Sequence, residues 1–105
     1  MKLYTVTITP EAEQDLERFF AYLERKLLNP QAADAFLKDY EDTVRVLIQT
    51  AGSIRVGEHP TLKSRNLRRI NFRHHNYFLL FRINGDNVVV NAIGHILQDI
   101  DNVIH

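Results

Sequence analysis

The order of hydrophobic periodicities predicts an α+β fold of β-α-α-β-β-β type, an antiparallel helical hairpin packed on a small, mostly antiparallel sheet. Three observations carry that prediction. Residues 3–9 alternate in a β-branched segment, residues 10–51 hold two helical apolar stripes divided by Asn29-Pro30, and residues 67–93 hold three short runs separated by turn residues.

Leu3 to Thr9 sets Leu3, Thr5 and Thr7 against Tyr4, Val6 and Ile8, the period of a strand. Thr9 can cap a helix, and Pro10 suits its first position, where the missing N–H would have no partner anyway. Glu11, Glu13 and Asp15 favour the positive end of the helix dipole. Ala12, Leu16, Phe19, Phe20, Leu23 and Leu27 then form one helical face, ending near Leu28. Asn29-Pro30 repeats the start signal, and Ala33, Phe36, Leu37, Tyr40, Val44, Leu47, Ile48 and Ala51 make a second stripe. Gly52 is expected to end that helix at positive φ. The short connection implies antiparallel neighbours, and rings at this spacing read as core.

Residues 53–66 lack a sustained period, contain Gly57 and Pro60, and read as a loop. Residues 67–72 are expected as an outer strand. Residues 77–83 are almost continuously apolar, as in a strand covered on both faces. Asn84-Gly85-Asp86-Asn87 is a hairpin turn leading to a last strand over 88–93. Ile96, Ile100 and Ile104 allow a short terminal helix. The first strand must join the other three, since alone its backbone would be unpaired. With the hairpin on one side, the other sheet face is expected to lie open to receive cations.

At 105 residues, 45% of them hydrophobic and 25% charged, the chain is expected to be one globular domain over 1–105. The absence of cysteine removes disulfide frameworks, thiolate metal sites and cysteine nucleophiles. No apolar run approaches a membrane span, and MKLYTVTITP lacks a signal-peptide core, so a cytoplasmic protein is expected. Phosphate loops, dinucleotide glycine fingerprints, nucleophile elbows and paired metal carboxylates are missing, and neither cofactor nor metal is expected.

Net charge is zero but unevenly spread. Residues 1–54 carry six Lys/Arg against nine Asp/Glu, residues 55–82 seven against one, and residues 83–105 none against three. A basic band between acidic segments fits either a face that meets an anionic partner or a solvated sheet edge. Its members Lys63, Arg65, Arg68, Arg69, Arg73 and Arg82 include guanidinium forks suited to phosphate, interleaved with Phe72, Tyr77, Phe78 and Phe81. Strand alternation predicts Arg69 and Arg73 on one face and Arg68 on the other. His95, closing the last strand, can serve as general acid or base in metal-independent RNA cleavage, with His74 or His75 as its counterpart and Arg82 or another arginine on the phosphate. The structural alternative is a hydrogen bond from His95 to Asp99.

The element order, the length, and the segment LRRINFRHHNYFLLFRINGDNVVVNAIGHILQD together resemble the RelE/ParE superfamily of toxins from bacterial type II toxin–antitoxin systems. The resemblance spans nearly the whole chain. Its most specific parts are Leu67-Arg68, Leu80-Phe81-Arg82 before Asn84-Gly85, and His95-x-x-Gln98-Asp99. It implies growth inhibition, and an antitoxin partner laid across the helical hairpin or the basic sheet face. The target it implies is DNA gyrase, as for ParE-like members, or the ribosome and mRNA, as for RelE-like endonucleases; a degenerate, antitoxin-binding member is the third case. Ribonuclease members often carry arginine where this chain has Phe78, and no lysine pair follows the second helix beyond Lys63. Together with neutral overall charge, these departures place gyrase ahead of the ribosome.

Overall fold

The computed structural model describes residues 2–105. Strand β1 (Thr5–Ile8) runs into helix α1 (Pro10–Ala21), where the Thr9 hydroxyl accepts from the Ala12 N–H at 3.1 Å. Pro10 occupies the first turn, as predicted. The helix continues as a π-helical turn over Tyr22–Lys26 and stops at Leu28, whose φ of +50° is left-handed. Asn29 then caps α2 (Pro30–Thr50) by accepting from the Ala32 N–H at 3.1 Å. The two proline-led starts and the short connection therefore produce the antiparallel hairpin.

The end of α2 differs from expectation. Gly52 does not take positive φ; it lies in a 3-10 turn, Ala51–Ser53, where a Cβ would collide with the Tyr4 hydroxyl. Close approach of the Tyr4 side chain, not backbone handedness, favours the glycine. The predicted loop also holds a single-turn helix α3 (Pro60–Ser64) and an isolated bridge, Val56 to Arg68. Here His59 is the cap, its Nδ1 accepting from the Thr61 N–H at 3.2 Å. The cap-then-proline signal was present, but with an uncommon capping residue.

Strands β2 (Arg68–Asn71), β3 (Tyr77–Asn84) and β4 (Asn87–His95) form the antiparallel meander, followed by a helical turn α4 (Ile100–Val103). The β3–β4 turn centres on Gly85-Asp86, with Gly85 at φ +63°. The sheet order is β1-β4-β3-β2, with β1 parallel to β4. The first strand thus joins the meander at its β4 edge. One irregularity matters: Leu80 faces Ala92 but Phe81 faces Val90, so Asn91 is an extra, bulged residue on β4.

Alternation along β3 feeds two cores. Leu79 and Phe81 join Phe36, Leu47, Phe72, Val88, Val90 and Ile93 beneath the hairpin. Phe78 and Leu80 join Leu62, Leu67, Ala92 and Val103 on the opposite face. That back face is not open, contrary to expectation. Helices α3 and α4 and the following residues cover much of it, because Leu62, Val103 and Ile104 need burial as much as the hairpin does.

Candidate functional site

The meander turns place the histidines at one end of the sheet. His95 pairs with Tyr77 across β3–β4, and their rings meet edge-on at 5.0 Å. Tyr77 belongs to the hairpin-side core, so His95 also points to that side, into a shallow hollow with Phe19, Tyr22, Leu23 and Leu27. Its Nδ1 accepts from the Leu97 N–H at 3.1 Å, and its backbone N–H donates to Gln98 Oε1 at 2.9 Å. The expected bond to Asp99 is replaced by this local turn. An Nδ1 that accepts a backbone proton sets the neutral ring as its Nε2–H tautomer. Only Nε2 then remains for a substrate, as a donor.

His75 is held from the other side of the hairpin. Its Nδ1–H donates to Asp39 Oδ2 at 2.7 Å, and the His74 N–H donates to the same oxygen at 2.9 Å. Burial raises the Asp39 pKa, but the hydrogen bond and charge of His75 and the His74 and Arg73 N–H groups outweigh it, leaving the carboxyl below its ordinary value. The His74 side chain is exposed. A turn that presents two histidines in sequence therefore uses one as an anchor.

The cations are elsewhere. Arg69 faces Leu80 across β2–β3 and lays its guanidinium over the Phe78 ring at 3.9 Å on the back face, where burial lowers its pKa. Arg82 follows Phe78 and Leu80 on that face. It stands five residues along β3 from Tyr77, roughly 17 Å at strand rise. Arg65 also reaches the back face, donating to the His105 carbonyl at 3.3 Å. Lys63 is exposed on α3, which covers that face.

Two predicted members leave the set. Arg68 Nη1 donates to the Ile54 carbonyl at 2.7 Å and approaches those of Ala51 and Gly52 at 3.5 Å, closing the carbonyl end of the hairpin. Arg73 lines a depression with Asp42, Val46 and Gln49 of α2. It does not share a face with Arg69, since the ladder ends at Asn71 and the chain turns before position 73. Lys63, Arg65, Arg69 and Arg82 are thus gathered on the back, while His95 and His75 lie on the hairpin side. The sheet separates His95 and His75 from Arg65, Arg69 and Arg82, whereas Arg73 lines its depression together with His74.

Three residues carry roles that the sequence reading did not assign; Asp15 was expected only to favour the α1 dipole, yet it lies beyond the first turn. Asp15 of α1 is 1% exposed and accepts from the Ile93 N–H at 3.0 Å, Arg18 at 3.1 Å and His105 Nε2 at 2.8 Å. Asp39 of α2, 3% exposed, is its counterpart. The signal was a carboxylate inside an apolar stripe: Asp15 beside Ala12, Leu16 and Phe19, and Asp39 beside Phe36 and Tyr40. The third is Asn91, which only the bulge reveals.

These features define a small α+β protein whose basic face lies across the sheet from a helical hairpin. A solved structure described as the chromosomal ParDE TA system from P. aeruginosa matches with a TM-score of 0.74 and 21% identity, over 90% of this chain and 97% of that one. At that identity the likeness establishes the fold. A search of curated proteins finds no match. The family described as the ParE toxin of type II toxin–antitoxin system, parDE, matches residues 6–100. The chain belongs to that family, and is the toxin of a type II system, whose partner is an antitoxin. No helix among the described residues is long and apolar enough to cross a membrane.

Proposed function

We propose that the protein acts on DNA gyrase as a non-enzymatic poison, with Lys63, Arg65, Arg69 and Arg82 available for an anionic surface of its target. The supporting observation is the division of the predicted catalytic set. A metal-independent RNA cleavage site needs a base, an acid and a phosphate ligand around one phosphodiester. His95 and His75 lie on one side of the sheet and Arg82 and Arg69 on the other, while Arg73 and His74 line a depression separate from the hollow at His95. Moreover, Phe78 is fully buried beneath Arg69, so the middle strand offers an apolar ring where cleavage needs a polar group.

Induction in cells, followed by parallel readouts of DNA damage and transcript integrity, tests the reading. Double-strand breaks with intact transcripts are expected, together with inhibition of supercoiling by purified gyrase. His95→Ala is expected to leave toxicity unchanged. Cleaved mRNA with intact DNA, abolished by His95→Ala in a folded protein, would establish the ribonuclease instead. Normal growth at confirmed expression would mean a non-toxic, antitoxin-binding protein.

A further inference from the structure

Strand β2 is an edge of the sheet, and only part of its outer side is covered. The Phe72 N–H donates to the Tyr77 carbonyl at 2.8 Å, so Phe72, Ile70 and Arg68 turn their backbone groups toward β3. By alternation Leu67, Arg69 and Asn71 turn theirs outward. Leu67 is satisfied there by Leu62 and Gly57, and the bridge between Val56 and Arg68 closes the same end. Beyond the bridge, the Arg69 carbonyl and both backbone groups of the exposed Asn71 have no hydrogen-bond partner among the described residues.

This open edge lies beside α2, over a depression of about 590 Å³ lined by Thr43, Val46, Gln49, Ile70 and Arg73. Ile70 packs with the hairpin-side core, so the floor of the depression continues that core outward past β2. Val46 is 48% exposed on it. Charge here is one-sided. The lining acid, Asp42, is held by Arg45 at 2.7 Å, whereas Arg73 and Arg55, next to the bridge, have no ion pair among the described residues. Arginines guard an edge against its own copies, since two β2 strands joined edge to edge would set Arg69 and Arg73 against their duplicates. A guard needs no apolar seat beside it, and the same charges that repel a second copy attract an acidic strand.

We infer that the outer edge of β2 receives an extended acidic segment of a partner protein as a fifth strand. Its backbone bonds Asn71 and the Arg69 carbonyl, an apolar side chain rests on Val46 and Ile70, and its carboxylates face Arg73 and Arg55. In strand addition the main-chain bonds supply affinity and alternate side chains supply selection. The site is separate from the back-face cations assigned to gyrase, and its test reads binding rather than toxicity.

The test uses the full chain and a blocked hexapeptide alternating glutamate with valine, read by calorimetry and amide NMR. The peptide is expected to shift the amides of Val46, Ile70, Asn71 and Arg73, and to slow hydrogen exchange at Asn71. A lysine–valine counterpart is expected to bind at least tenfold more weakly. Two further peptides, N-methylated at every valine or at every glutamate, are blocked on opposite edges, so one should lose binding and the other keep it. Arg73→Glu changes an exposed side chain and is expected to weaken the glutamate peptide about tenfold or more. Asn71→Pro removes the outward N–H without touching the β3 ladder and is expected to weaken it as well; Arg73→Glu decides the matter if that variant does not fold. The inference is overturned if the glutamate peptide fails to bind at millimolar concentration or maps elsewhere. It is equally overturned if the lysine peptide binds as well, if Arg73→Glu changes nothing, or if the two N-methylated peptides behave alike. Self-association of the chain through this edge would overturn it too, by assigning the edge to a second copy.

Discussion

The two faces of the sheet are built from the same strands and closed by different means. On one side, helices of 12 and 21 residues lie over a core centred on Phe36, Phe81 and Leu79. On the other, helical turns of 5 and 4 residues and the segment after them cover Phe78 and Leu80. A long amphipathic helix brings its own hydrogen bonds and a continuous stripe; a single turn brings neither. The hairpin face should therefore carry global stability, while the back face should open locally at lower cost and carry recognition. The placement of Arg65, Arg69 and Arg82 on the back face agrees with that division.

The largest expected effect tests the hairpin side. Phe36 is fully buried and packs against the rings of Phe19, Phe72 and Tyr77. Phe36→Ala is expected to cost about 3–5 kcal/mol, from lost burial and the cavity left behind. Chemical denaturation measures it. A loss below about 1 kcal/mol would mean the ring cluster is not the stabilising centre and would break the contrast between faces.

Much of this architecture was legible because local signals and the global fold agreed. Thr9-Pro10 and Asn29-Pro30 each placed a helix start, and Gly85 placed the hairpin. What remained hidden depends on tertiary approach. Nothing local to Arg68 says that its guanidinium will meet carbonyls fourteen to seventeen residues earlier. Charge counting grouped it with Arg69, although period-two geometry already separated the pair. The site failed for a related reason: His95 and Arg82 are close in sequence, yet they lie on opposite faces and far apart along the strands. Asn91 could not have been found, since a bulge is a mismatch between two strands rather than a property of either.

The next effect concerns how the hairpin is fastened. Asp39 ties α2 to the β2–β3 turn through His74 and His75. Its pKa is depressed on folding despite burial, so its contribution is complete above the unfolded carboxylate value, near 4, and is lost as pH falls through the folded value. Asp39→Asn removes an acceptor of charge-assisted bonds and is expected to cost about 1–3 kcal/mol at neutral pH. It should also flatten the stability–pH curve below about pH 4. An unchanged acid limb would assign acid sensitivity to other carboxylates.

A similar magnitude, but a different reach, is expected from Gly94→Ala on the back face. A Cβ there would lie 2.6 Å from Phe78 Cζ and 2.8 and 2.9 Å from the Val103 methyls. Overpacking of this kind costs about 1–3 kcal/mol. Because Val103 belongs to the lightly anchored α4, we expect the strain to be relieved by displacing that turn. Hydrogen exchange should accelerate in residues 99–105 while the amides of α2 keep their protection. Uniform acceleration would show the two faces to be one cooperative unit.

The smallest effect separates the two carboxylate anchors. Asp15 resembles Asp39 in being buried on a helix and holding a backbone N–H of the meander, but its histidine partner is His105, whose side chain is 39% exposed. Asp15 keeps the Ile93 N–H and Arg18 when the imidazole is removed, so no buried group is stranded. Partly exposed pairs of this sort contribute about 0–1 kcal/mol, and His105→Ala is expected within that range. Its consequence should be positional: residues 104–105 lift from the back face, and the Arg65 contact to the His105 main-chain oxygen loosens with them. Amide NMR should then show changes at Ile104 and Arg65 with Ile93 still protected. A loss of several kcal/mol would mean that the back face is fastened as firmly as the hairpin, and that it is a rigid part of the fold rather than a surface able to adapt to a partner.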